Sequence, residues 1–255
     1  MDFATIFGLI IALGAIVGSF IMEGGKVSTI FLLSPMIIVL GGTFGATIIT
    51  TSMSTVAKVP AYLKLAFSNS KYYFHDTIDE IVYLAEKARK DGILGLESSL
   101  DDIEDPFFIK AVQLVIDGTE LTVLRDILET EIINISERHK KGIFFFHKAG
   151  GFSPTMGILG TVLGLIQTLG NTDDAAKMAH AIAAAFIATL WGVGLANIFL
   201  LPISDKLKMR HEEEVAHLEL ITEGLIALQS GENPRSIRER LLSFMSPKNR
   251  VMAVS

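Results

Sequence analysis

The chain has 255 residues, half of them hydrophobic, and a mean hydropathy of +0.47. Its net charge of −6 and pI near 5.5 argue against nucleic acid as a partner, because nucleic-acid-binding domains present basic surfaces. The absence of cysteine excludes disulfides, thiolate catalysis and cysteine-based metal sites.

Four long windows contain no Asp, Glu, Lys or Arg, namely residues 3–22, 27–57, 149–172 and 178–204. A helix of about 20 apolar residues crosses the hydrocarbon core of a bilayer. Buried helices of soluble proteins are rarely this long without a charge. The windows therefore predict an all-α, polytopic membrane protein with four transmembrane helices and a helical cytoplasmic domain.

The predicted segments follow from these windows in chain order. We expect the first window to be retained as a span and not cleaved as a signal peptide, because acidic Asp2 stands where a basic n-region is required. We expect transmembrane helices at 3–22, 31–51, 149–171 and 180–203, an amphipathic helix and cytoplasmic helical domain over 52–148, and a cytoplasmic tail over 204–255.

The basic residues predict the orientation. All Lys and Arg except Lys26 and Lys177 lie in the segment 58–148 or after residue 204. Basic residues beside membrane spans stay in the cytoplasm. Both termini and the long segment are therefore expected inside, and the two short loops outside.

Glycines recur at three or four residues within the predicted spans, a spacing that lets helix backbones approach closely in lipid. We therefore expect tight helix packing at each group, against the alternative that glycine is simply common in membrane helices. The groups are Gly14 with Gly18, Gly41 with Gly45, and Gly157 with Gly160 and Gly164.

The cytoplasmic part reads as helices with clear boundaries. Residues 56–67 mix apolar side chains with Lys58 and Lys64, which is typical of an interfacial amphipathic helix on the inner leaflet. Asp105 and Pro106 are an N-cap followed by proline at the first helical position. The helix after Gly118 is expected to run on into the third span.

The spans contain no ionisable group apart from His180 near the external end of the fourth. Proteins that move protons normally carry such a group at membrane depth. Either the protein moves no ion and its threonines satisfy helix backbone, or a partner helix supplies the carboxylate; the residues leave both open. No catalytic constellation and no metal-ligand spacing are present, so we expect neither an enzyme nor a metal site.

Four stretches make the chain similar to a known family. The sequence resembles the MotA/TolQ/ExbB family of ion-driven motor subunits. Because TolQ and ExbB proteins have three spans, the four-span layout and the tail motif GENPR favour the flagellar stator branch. The stretches are AEKARKDGILGLE (85–97), GGFSPTMGILGTVLGLIQTLGN (150–171), HAIAAAFIATLWGVGLANIFLLPISDKLK (180–208) and GENPRSIRERLLSFMSP (231–247).

The resemblance implies a function and partners. Several copies would surround MotB, whose single span carries an aspartate, in the bacterial inner membrane, and ion flux would drive work on the rotor protein FliG. No cofactor is implied beyond the transported ion. An ExbB/TolQ-like subunit that energises an envelope protein, and a structural scaffold without transport, are the alternatives.

The resemblance also implies roles for individual residues. The prolines, the threonines and the charged residues have simpler alternatives, which are a static kink, a backbone-bonding hydroxyl and solvated surface charge. The implied roles are a conformational hinge at Pro154 and Pro202, an ion pathway at Thr161, Ala188 and Thr189, and a rotor contact at Arg89, Lys90 and Glu97.

The transported ion is predicted from the hydroxyls. Sodium-type stators tend to carry a Thr-Thr pair where this chain has Ala188-Thr189. Because a cation needs several oxygen ligands, a single hydroxyl there makes a poor cage. The sequence therefore favours protons, with a sodium-driven stator as the alternative.

Overall fold

The computed structural model describes residues 2–68, 72–247 and 250, and within these residues it is helical without a strand. The predicted all-α class is confirmed for this part of the chain. Two compact units are present. We call Met1–Asn69 with His139–Met209 the apolar unit and Ser70–Arg138 with Arg210–Ser255 the polar unit.

The apolar unit begins with two apolar helices. Helix α1 covers Phe3–Met22 and α2 covers Leu33–Ile49, with a 3-10 turn at Val27–Ile30 between them. A π-helical turn at Ile37–Gly41 lies inside α2. The short helices α3, Met53–Val56, and α4, Val59–Ala66, follow.

Two long helices enter both units. Helix α7 runs without a break over Leu121–Leu169, and α8 runs over Ala175–Gln229 through a π-helical turn at Leu195–Leu200. The predicted continuity of the helix after Gly118 with the apolar segment from residue 149 is confirmed. Each long helix has a polar and an apolar half. In α7 the polar half comes first, whereas in α8 the apolar half comes first.

Among the residues that the structure describes, three helices are long and apolar enough to cross a membrane: α1, α7 and α8. Helix α2 is a shorter apolar helix of about 26 Å, somewhat less than the hydrocarbon thickness of about 30 Å. It is shorter than the predicted 31–51 because Phe31 follows the 3-10 turn and Thr50 and Thr51 lie beyond the last helical turn.

The amphipathic helix predicted over 56–67 is largely helical, but most of its apolar side contacts protein. Val59 and Leu63 pack against a buried cluster, whereas Lys58 and Lys64 are exposed. Leu65 remains exposed enough to meet lipid. The buried cluster contains Ala66, Phe145, Phe146, Ala149, Leu200, Ile203 and Leu207.

The polar unit has an ordinary hydrophobic core formed by short helices around the polar ends of α7 and α8. The short helices are α5, Phe74–Asp91, α6, Pro106–Ile116, and α9, Pro234–Leu241, with a 3-10 segment at Ile93–Asp102. The largest side chains with almost no exposure include Ile78, Ile81, Leu96, Phe108, Leu124, Leu128, Ile221, Leu225 and Ile237.

The helix starts of this unit follow local capping rules. The Asp105 carboxylate accepts hydrogen bonds from the backbone N–H groups of Phe107 and Phe108, at 2.8 and 3.4 Å, as predicted for an N-cap before Pro106. Asn233 caps α9 in the same way, accepting from the Arg235 N–H at 3.0 Å. The caps stabilise each start because they satisfy helix donors that have no intrahelical partner.

Candidate functional site

The apolar halves of α7 and α8 contact each other through small residues. A Cβ atom built on Gly160 would lie 2.6 Å from the Ala188 Cβ, and one built on Gly164 would lie 2.7 Å from the Ala185 Cβ. Glycine is therefore required at both positions to let the two backbones approach. The tight packing predicted from the glycines of the third span is confirmed.

The closest approach is at Gly192. A Cβ there would lie 2.8 Å from both the Gly157 Cα and the Ser153 carbonyl oxygen, which are backbone atoms and cannot move aside. The Ser153 hydroxyl, which is fully buried, donates to the Gly192 carbonyl at 2.8 Å. Sequence reasoning missed both Ser153 and Gly192, although small residues immediately beside Pro154 and Trp191 were a usable signal.

The structure brings the three residues predicted for the ion pathway together. The hydroxyl oxygens of Thr161 and Thr189 are 2.5 Å apart, and the Thr161 oxygen lies 3.1 Å from the carbonyl oxygens of Gly157 and Ala185. Since each hydroxyl has one proton, Thr189 can donate to Thr161, which in turn donates to a carbonyl. Ala188 is 1% exposed and lies beside Gly160.

The predicted hinge prolines lie inside continuous helices. Pro154 is within α7, directly after Ser153, and Pro202 is the second residue after the π-helical turn of α8. Each proline lacks an N–H, so the carbonyl four residues earlier loses its usual helical partner. The π-helical turn was not predicted; such turns are frequent at functional sites.

Pro202 also lines a cavity of about 290 Å³ in the apolar unit. Residues of α1 also line it, including Thr5 and Gly8. At its edge the Lys206 ammonium forms an ion pair with the Asp2 carboxylate, both groups being mostly buried. The Thr5 hydroxyl donates to the same carboxylate at 2.5 Å. The start of α1 is thereby fixed near Pro202.

The predicted rotor-contact residues lie at one end of α5 and in the following 3-10 segment. Arg89 and Lys90 are in the last turn of α5, and Glu97 is in the segment Ile93–Asp102. The Lys87 ammonium donates to the hydroxyls of Ser98 and Ser99, at 2.7 Å each, and so ties the two elements together. The structure thus places Glu97 beside the turn that carries Arg89.

All three charged side chains are exposed and, among the described residues, none has an ion pair or hydrogen bond. Other surface charges of the polar unit do pair: Lys110 with Glu131 at 2.6 Å and Arg238 with Asp79 at 2.7 Å. Charges without an internal partner can bind one on another protein without breaking an existing contact.

Comparison with known proteins decides the family. The MotA/TolQ/ExbB proton channel family matches residues 99–220, and the Motility protein A N-terminal family matches residues 6–92. Motility protein A of Borreliella burgdorferi is 36% identical over 250 residues, covering 98% of this chain and 96% of that protein. The chain belongs to the MotA/TolQ/ExbB proton channel family. The resemblance predicted from its four motifs is confirmed.

Solved structures of the family share the whole fold. The flagellar MotAB stator complex from Bacillus subtilis contains a chain that matches with a TM-score of 0.92 at 31% identity, covering 98% of each chain. The C. jejuni MotAB structure matches equally well, at 31% identity over 97% of each chain. The family segment 99–220 contains the hydroxyl pair, both prolines and the glycines at the contact between α7 and α8. Arg89 lies in the N-terminal match.

Proposed function

We propose that this chain is a flagellar motor stator subunit that forms a transmembrane cation path with a MotB-type partner and drives torque on a FliG-type rotor protein. The observation that carries the proposal is the full-length likeness to chains of two MotAB complexes. It fits a second feature, the absence of any carboxylate in the apolar windows. A partner helix that carries an aspartate supplies the missing group.

The proposed membrane arrangement has four spans with both termini in the cytoplasm. It assigns α2 as the second span although it is short, because a modest mismatch is accommodated by local thinning of the bilayer. Helix α1 has no buried residue within this chain. Its open surface supports contact with lipid and with further copies of the chain, several of which would surround the partner helices.

The proposed path passes the Thr161–Thr189 hydroxyl pair. Two hydroxyl oxygens, one of them already engaged with backbone, offer fewer ligands than a dehydrated cation requires. This supports protons as the transported ion, with sodium as the alternative. Each charge that crosses 100 mV releases about 2.3 kcal/mol. That energy is sufficient to bias a bend at Pro154 or Pro202 between two states.

The first experiment tests transport and partnership together. The chain is co-expressed with its MotB-type partner lacking the plug, and proton influx is measured in a pH-reporting strain. We expect influx with the intact partner, none when the partner aspartate is replaced by asparagine, and none for the chain alone. Co-purification of the two proteins with normal swimming of a deletion strain would instead support the ExbB/TolQ-like function.

The second experiment tests the rotor contact. We expect Arg89→Glu to abolish rotation while leaving assembly and proton influx intact, because the charge has no partner inside the described chain. Lys110→Glu is the control: it reverses another exposed charge of the same unit, and surface ion pairs contribute at most about 1 kcal/mol. Normal swimming of Arg89→Glu cells contradicts the assignment.

A further inference from the structure

An exposed leucine lies among the unpaired charges of the polar unit. Leu94 is 73% exposed, more than any other large hydrophobic residue that the structure describes in this unit. It follows Ile93, which is itself 37% exposed. Single exposed hydrophobic residues are common on protein surfaces, so exposure alone does not assign a binding role to Leu94. The assignment depends on the residues around it.

The turn that carries Leu94 is held at both ends. Gly92 has a φ of +79°, which turns the chain sharply at the end of α5. A Cβ on Gly95 would lie 2.7 Å from the Asp91 Cβ, so the turn closes only with glycine there. Leu96 is fully buried in the core. Leu94 is therefore presented on a tight turn instead of a loose loop, which lowers the entropy lost on binding.

The hydrogen bonds of Lys87 fix the same turn from the other side. Its ammonium reaches Ser98 and Ser99, which follow Glu97 directly. Two cationic side chains, Arg89 and Lys90, precede the leucine, and the anionic Glu97 follows it. An apolar residue with a charged rim is the common anatomy of a binding surface.

Resting on the proposed function, we infer that Leu94 is the apolar anchor of the rotor contact. It inserts into an apolar pocket on the rotor protein, with an acidic group opposite Arg89 and Lys90 and a basic group opposite Glu97. The charges orient the two proteins and speed encounter, whereas the leucine supplies the desolvated contact that holds them. A second copy of this chain and the lipid surface are the competing occupants.

The test uses the full stator complex in motile cells. Leu94→Gln replaces the apolar side chain by a polar one of similar size, and Leu94→Met keeps it apolar. Ile133→Gln is the matched control, because Ile133 is a 60% exposed aliphatic residue of the same unit. We expect Leu94→Gln to weaken binding of the purified complex to the purified rotor protein at least about tenfold, with loss of stall torque. Leu94→Met and Ile133→Gln keep both.

A photo-crosslinking residue at position 94 identifies the occupant. Crosslinking to the rotor protein supports the inference, whereas crosslinking to a second copy of the chain or to lipid overturns it. Full torque in Leu94→Gln cells with none in Arg89→Glu cells also overturns it and leaves the proposed function standing. Full torque in both variants contradicts the proposed rotor contact itself.

Discussion

The hydroxyl pair of the apolar unit distinguishes Thr189 from a threonine that only satisfies the backbone of its own helix. Thr168 is buried, and its hydroxyl donates to the carbonyl of Gly164 in its own helix at 2.9 Å. Thr189 instead contacts Thr161 on the other helix. The first arrangement only satisfies a polar group in lipid, whereas the second places an oxygen on the surface shared by two helices.

We therefore predict that replacement by valine has an effect on proton influx at Thr189 but none at Thr168. Thr189→Val removes an oxygen from the proposed path and should lower proton influx with an unplugged partner at least about tenfold, a typical cost for a lost polar group in a transfer step. Thr189→Ser keeps the oxygen and should retain most of the influx. Thr168→Val is the control and should conduct normally. Equal influx in all three variants would assign Thr189 to backbone satisfaction.

His217 in the polar unit is buried against aromatic rings. The Nε2 of His217 lies 2.9 Å from the Thr77 hydroxyl, and its ring packs against Tyr72 and Phe74 at 5.0 and 5.8 Å between centroids. Burial lowers the pKa of His217, and the Asp105 carboxylate, 3.8 Å from Nδ1, opposes this only in part. Burial likewise raises the pKa of Tyr72 and of Glu214, which hydrogen-bond each other.

The lowered pKa of His217 predicts a pH dependence of stability. Because the folded-state pKa lies below the ordinary 6.5, the unfolded chain binds a proton more readily than the folded one. The stability that neutral His217 contributes is therefore complete above pH 6.5 and is lost as the pH falls toward the folded-state pKa. Each tenfold difference in proton affinity between the two states corresponds to about 1.4 kcal/mol. The raised pKa of Glu214 makes stability depend on pH in the opposite direction. The measurement must therefore compare proteins that differ only at His217.

The measurement is hydrogen exchange of α5 and α6 between pH 5.5 and 7.5 in the purified complex, corrected for intrinsic rates. We expect protection to decrease as the pH is lowered, and to decrease more steeply in the parent protein than in the His217→Gln variant. The glutamine keeps a hydrogen-bonding side chain near Thr77 and cannot titrate. Identical pH slopes for the two proteins would show that His217 is not coupled to folding of this unit.

At the scale of helices, the sequence predicted the elements better than their contacts. The cap at Asp105 and the continuity of α7 follow from local chemistry, so they were predictable. The glycine spacing identified Gly157, Gly160 and Gly164 correctly. The same spacing in α1 and α2 predicted close packing at Gly14, Gly18, Gly41 and Gly45, and no other part of the described chain lies within 4 Å of a Cβ built there.

The physical reason is that a glycine pattern specifies a close approach but not the approaching helix. Within α7 and α8 the partner is in the same chain, whereas the small faces of α1 and α2 are open. The π-helical turns escaped prediction for a related reason. They depend on how the surrounding helices pack, and neither Ile37–Gly41 nor Leu195–Leu200 has a composition that separates it from an α-helix.

The contact between α7 and α8 gives a prediction at this scale. Gly192→Ala places a methyl group 2.8 Å from backbone atoms of Gly157 and Ser153, so the two helices must separate. We expect the variant to assemble poorly and the purified complex to melt several degrees lower, since a forced overpacking costs about 1–3 kcal/mol.

Gly194→Ala is a matched control on the same helix, two residues further on. A Cβ built there has no atom within 4 Å beyond the neighbouring backbone of its own helix. The substitution should be neutral or slightly stabilising because alanine has the higher helix propensity. Thermal melts of the two complexes check the prediction, and equal melting temperatures would show that the Gly157–Gly192 contact does not hold the helices together.

At the scale of the whole molecule, the chain leaves much of its apolar surface unburied. The windows of α7 and α8 that could cross a membrane are 28% buried, and that of α1 is not buried at all. An ordinary soluble domain would not leave such surface in water. The sequence predicted that the apolar part needs lipid, because hydropathy is a local property. It could not establish whether the short α2 crosses the bilayer, because that depends on how lipid and neighbours accommodate its ends.

The absence of cysteine makes this topology testable one residue at a time. We predict that Glu23→Cys and Asp173→Cys, which lie on the proposed external loops, react with a membrane-impermeant maleimide in intact spheroplasts. Ser54→Cys and Ser236→Cys should react only after lysis, and the parent chain should not react at all. Glu23 and Ser54 flank α2, so they decide whether it crosses the membrane. Labelling of Ser54→Cys from outside would reduce the spans to three, because α2 would then return to the side from which it entered.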